Sequence, residues 1–156
     1  MNKEVLSICK NLEKVLNGQP WFGRAMYEIL GEIDEAKVYT NPNNTEHSLI
    51  ELLYHVNTWA EFTLKRLEDN KEEDLAAAEK KDWREIDPAI HTWANGMAEL
   101  KDIHKKILEL LQTKDDTFLK EIVDYRQYNF RFLLNGLIQH NIYHLGQIAY
   151  LNKLLG

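Results

Sequence analysis

The sequence predicts an all-α fold, a four-helix bundle with a short accessory helix. Three observations predict it. Apolar residues recur at steps of three and four along four long segments. Only 3 prolines and 7 glycines interrupt them. At 156 residues the chain has the length of one domain, taken as 1–156. Four amphipathic stripes each need a partner surface, and packing them around one core buries all four.

Each element has a local reason. The first long helix is expected from about Lys3 to Leu16, with Val5, Ile8, Cys9, Leu12, Val15 and Leu16 on one stripe and Asn17-Gly18 ending it. "QPWFGRAMYEILGEI" reads as a loop followed by the accessory helix. The second long helix follows the turn-rich "TNPNNTEH". Ser48 and Glu51 have the spacing of a capping box, and Leu52, Val56, Trp59, Phe62 and Leu67 form an apolar face with His55 in the same band. The link over 69–87 is charged, with room for a helical turn or two at "DLAAAEKK". The third long helix is expected to start with Asp87 as N-cap and Pro88 at its first position, its stripe running Ile90, Trp93, Met97, Leu100, His104, Ile107 and Leu111. After a second link over about 113–128, where "FLKEIVDYRQY" suits a short extended piece, the fourth helix runs from Asn129 to Leu155. Both links are long enough to cross a bundle, so a simple up-down-up-down order is not required.

Composition narrows the function. Apolar residues make up 44% and charged residues 28%, the balance of a soluble globular domain. A formal charge of −6 argues against nucleic acid and anionic membrane as partners, since both call for a basic surface. No stretch reaches the roughly 20 apolar residues of a membrane span. "MNKEVLSICKNLEK" has no apolar run of the secretory kind. The lone Cys9 lies on an apolar stripe, where core packing is its expected role, and it has no internal disulfide partner, which suits a reducing compartment. A cytoplasmic location is the expectation.

The chemistry concentrates in "HNIYHLGQI" at 140–148. His140 and His144 are four apart on one helical face, continued by Leu133, Leu137, Ile148, Leu151 and Leu155. The spacing alone is a weak signal, but the place is not: a buried imidazole without a partner costs about 1–3 kcal/mol. A third histidine from another helix would let three nitrogens converge on a metal ion. His55 and His104 are both candidates. If their helices run parallel, they lie about 10 Å and about 25 Å from their helix starts, so they cannot reach the same ion. His104 also reads as a histidine favoured by a helix C-terminus. His47 and His91 read as surface residues.

At this point the residues resemble a known family. "HSLIELLYHVNTWAE", followed some eighty residues on by "LLNGLIQHNIYHLGQIAYLNKLLG", is similar to the DinB-like (DinB/YfiT) superfamily, in which a histidine on the second helix joins an H-x-x-x-H on the fourth, followed by G-Q-[IV]. The matching positions are His55, His140, His144 and Gly146-Gln147-Ile148, and "NGQPWFGRAMYEIL" at 17–30 extends the likeness to essentially the whole chain. The resemblance implies an up-down-down-up bundle, a homodimer, and a divalent ion (Zn, Ni or Fe) held by His55, His140 and His144. Gln147 and Glu51 are then candidate supports for the ligands, although the capping box accounts for Glu51 equally well. Gly136 and Gly146 could allow close backbone approach. Tyr54, Trp59 and Tyr143 read as packing residues.

Three imidazoles without a fourth protein ligand leave coordination positions open, as in catalytic sites. Such an ion lowers the pKa of water or holds a thiol as thiolate. Relatives in the superfamily imply a metal-dependent thiol S-transferase that joins a low-molecular-weight thiol to a small electrophile. Metal-dependent hydrolysis is the alternative, weakened because no carboxylate stands between the two histidines; Asp124, Glu51 and Glu61 are the candidate bases. A non-catalytic stress-response protein that binds a metal or small ligand is the third reading.

Overall fold

The helical periodicity of the sequence is realised throughout the computed structural model, which describes residues 1–156 and contains no strand. Its α-helices are α1 (Lys3–Asn17), α2 (Met26–Gly31), α3 (Leu49–Leu67), α4 (Leu75–Lys81), α5 (Trp93–Leu111) and α6 (Phe130–Leu155). The expected stripe of α1 is buried residue for residue: Val5, Ile8, Cys9, Leu12, Val15 and Leu16. Its Asn2 N-cap makes no side-chain bond. Instead Asp116, from the link before α6, accepts from the backbone N–H groups of Glu4 and Val5, both at 3.0 Å. A carboxylate there satisfies orphan donors and complements the helix dipole.

Helix α3 is the centre of the molecule. It packs against α5, α6 and α4, and 15 of its 19 residues are buried, so it is core on nearly every side. The Ser48–Glu51 capping box fixes its start. Along α5 the pairings with α3 advance together: Tyr54 Oη donates to the Thr92 carbonyl, and Asn57 Nδ2 to the Gly96 carbonyl and Glu99. The two helices therefore run in the same direction. Gly96 suits their close approach, because a Cβ there would lie 2.6 Å from Leu53 Cδ2 and 3.1 Å from Tyr54 Cε2, and the Leu53 side chain would have to shift. The two glycines expected to serve close approach, Gly136 and Gly146, have nothing within 4 Å of such a Cβ.

The start of α5 differs from expectation. Asp87 caps only a turn, its side chain accepting from Ala89 N–H and its carbonyl from Ile90 and His91. The chain then breaks, and Thr92 becomes the true N-cap, accepting from Asn95 N–H. Ile90, assigned to the stripe, is 62% exposed. The link before α6 contains a short 3-10 turn at Phe118–Lys120 and a single antiparallel bridge, Ile122 to Asn129, in place of an extended piece. Asn129 caps α6. The buried side of α6 carries Leu134, Leu137, Ile138, Asn141, His144, Leu145, Ile148 and Leu151, with His140 at its half-buried edge. No helix is long and apolar enough to cross a membrane.

Candidate metal centre

The middle of α3 faces the middle of α6 through three imidazoles. His55 Nε2 lies 2.9 Å from His144 Nε2 and 3.1 Å from His140 Nε2. The three ligand atoms all fall within 4.8 Å of one another. Nitrogens bound to one tetrahedral zinc at about 2.0–2.1 Å would be roughly 3.3 Å apart. The spacing therefore fits a shared ion.

The outer ring atoms determine what the inner ones are. His55 Nδ1 donates to Asp82 Oδ1 at 2.6 Å, and His144 Nδ1 donates to Gln147 Oε1 at 2.6 Å. A neutral imidazole has one N–H, so both of these rings turn a bare lone pair inward at Nε2. His140 can supply at most one N–H to this cluster, and its own Nδ1 is buried without a partner. The 2.9 Å contact between His55 and His144 thus sets acceptor against acceptor. Such an arrangement repels itself unless a cation lies among the lone pairs.

The surroundings keep these rings uncharged. Burial pushes His140 down to about 3, reinforced by repulsion from His144 and His55. Burial also lowers His55 and His144, outweighing the opposing pulls of Asp82 and Gln147 respectively. Neutral imidazoles near pH 7 are the form that ligates a metal.

Asp82 organises one side. Besides His55, its Oδ1 accepts from the Trp83 backbone N–H at 3.0 Å, while Oδ2 accepts from Trp59 Nε1 at 2.8 Å. Trp83 has a left-handed φ of 48°, unusual for a bulky residue. Its indole lies flat between two imidazoles, with ring centroids 4.0 Å from His55 and 3.7 Å from His47. His55 is therefore fixed by a carboxylate at its edge and an indole on its face.

Among the candidates singled out from the sequence, His55, His140 and His144 meet, and Gln147 touches His144. Glu51 does not join them. Its carboxylate accepts from the Ser48 N–H and hydroxyl, both at 2.7 Å, which commits it to the α3 cap. Asp82 occupies the role considered for Glu51; it sits in the 69–92 link, where no helical spacing could point to it. Trp59 does more than pack, since it donates to that carboxylate. His104 is fully buried, donating through Nδ1 to the Leu100 carbonyl and accepting at Nε2 from Asn141 Nδ2. It lies well inside α5, so a helix-end role does not apply. His47 is half-buried against Trp83 and is not a plain surface residue.

Beside His140 opens a cavity of about 300 Å³ between α3 and α6, walled by Trp59, Phe62, Tyr128, Phe132, Leu137 and Gly136. A family model described as the DinB superfamily matches residues 22–148, most of the chain and all three histidines. No curated protein matches it.

Proposed function

The chain belongs to the DinB superfamily, and on that footing we propose that it is a divalent-metal-dependent thiol S-transferase acting on small electrophiles, with His55, His140 and His144 as the metal ligands. The observation that carries the reading is the inward convergence of three neutral Nε2 atoms, two of them held as acceptors by Asp82 and Gln147. Bound there, a divalent ion supplies a Lewis acid that favours the thiolate form of a thiol near neutral pH. The parallel course of α3 and α5 supports the up-down-down-up helix order that this family implies.

The disposition of the carboxylates supports transfer over hydrolysis. Hydrolysis calls for a general base within reach of the water it activates. Glu51 caps α3, Glu61 pairs with Lys81 and Lys65, and Asp124 pairs with Lys71. Asp82 already accepts from three donors. A thiol requires less help, because its pKa near 8.5 leaves it close to ionisation unaided. In the transfer, a sulfur–carbon bond forms, the bond from that carbon to its leaving group breaks, and the thiol proton passes to solvent.

The test is turnover of 1-chloro-2,4-dinitrobenzene with a panel of low-molecular-weight thiols by zinc- and nickel-loaded protein. The expected result is thioether and chloride in equal amounts, lost in the His55→Ala, His140→Ala, His144→Ala triple variant. Metal-loaded protein that turns over no thiol in the panel would overturn the transferase reading.

A further inference from the structure

The cavity beside His140 has a composition that constrains its occupant. Seven of its ten lining residues are hydrophobic, and none is Lys, Arg, Asp or Glu. Its polar groups are mostly committed: Trp59 Nε1 to Asp82, and the Thr63 hydroxyl to the Trp59 carbonyl. The Tyr128 hydroxyl makes no hydrogen bond within the chain, which leaves one neutral donor on the wall. A charged group seated against these walls meets no charged side chain among the lining residues, and only an ion on the histidines or the arginine charges felt at Tyr128 could offset the hydration it loses. The walls are aromatic and mutually braced, with Trp59 edge-on to Phe62 and Tyr128 tilted against Phe132. Size sets the other limit. An enclosed cavity of about 150 Å³ suits one benzene ring, so an open pocket near 300 Å³ has room for a group larger than one ring.

We propose that this cavity binds the uncharged, aromatic portion of the substrate, a group larger than one ring, and presents it beside His140. The proposal names the substrate class for the transfer reaction and rests on that reading for the role of the bound molecule. Gly136 belongs to the device. It lies one turn before His140, it lines the cavity, and a Cβ there would meet nothing within 4 Å. A glycine in mid-helix is less favourable than alanine, and here the missing side chain leaves space for a ligand.

The test is binding of 1-naphthol and of 1-naphthoate, a charged molecule of similar shape, followed by ligand-detected NMR on zinc-loaded and on chelator-stripped protein. On chelator-stripped protein, where no ion can take the carboxylate, naphthol is expected to bind at least about tenfold more tightly than naphthoate. Gly136→Leu fills the cavity while improving helix propensity. It is expected to abolish naphthol binding with zinc content unchanged, and Gly136→Ala to weaken binding less. Equal affinity of the two probes for the stripped protein, no binding of either, or naphthol binding unaffected by Gly136→Leu would each overturn the proposal. Failure of the metal reading is separately visible, as wild-type protein that binds naphthol but takes up no zinc.

Discussion

Two groups of buried imidazoles lie within this one core, and they are built on opposite principles. His104 has both ring nitrogens satisfied, one by a carbonyl a turn earlier on α5 and one by Asn141 of α6. Of the other three, His55 and His144 have oxygen partners at their outer atoms, and His140 Nδ1 has none. Their inner atoms face one another. A histidine that completes its hydrogen bonds within the protein is a structural residue; three whose Nε2 atoms converge, two of them with bare lone pairs, could hold a cation. Burial alone does not separate the two cases, whereas the partner of each nitrogen does.

Acid should expose what the groups share. Burial lowers all four imidazoles, His104 to about 4 and His140 to about 3. Above the ordinary value of about 6.5 both folded and unfolded chains hold neutral rings, and stability is at its full value. As the pH falls below 6.5, the unfolded chain takes up protons that the folded chain refuses. Metal-free protein should therefore lose stability from about pH 6.5 downward, the His104 contribution levelling off below about 4, as read from the urea midpoint against pH. A midpoint constant across that window would break the shared premise that the rings are held neutral.

His104→Ala separates the two groups. It leaves a cavity and strips Asn141 of its partner, so stability should fall by about 2–4 kcal/mol. Zinc bound per folded chain should not change. A parallel loss of metal would show that the two groups act as one network.

Asp82→Asn sharpens the outer half of the metal centre. The residue keeps its shape but loses the charge that would make His55 a stronger ligand, and zinc affinity should fall by about 10–100-fold, measured by competition with a chromophoric chelator. Gln147→Ala removes a neutral partner, weaker than a carboxylate, and the loss should be nearer tenfold. Equal losses in the two variants would mean that charge plays no part.

Much of this was legible in the sequence because local rules agreed with the tertiary ones. The stripe of α1, the Ser48–Glu51 cap and the long apolar run of α6 each combine a periodic pattern with a terminal signal. His55, His140 and His144 were legible through spacing and family resemblance together. The start of α5 was misplaced because "DPAI" and "TWAN" are both plausible helix starts, and only the turn around Asp87 decides between them. Asp82 was invisible for a different reason: it reaches His55 across 27 residues from an irregular link, and nothing periodic connects them. Asn141, the partner of His104, was hidden between two more conspicuous histidines.

The central claim is that the three inward-facing histidines hold one divalent ion, and elemental analysis of the purified chain beside the His55→Ala, His140→Ala, His144→Ala variant tests it most directly. About one ion per chain in the parent, and none in a folded variant, is the predicted result. A parent that stays empty after incubation with zinc and with nickel, or a variant that retains its metal, would contradict the account.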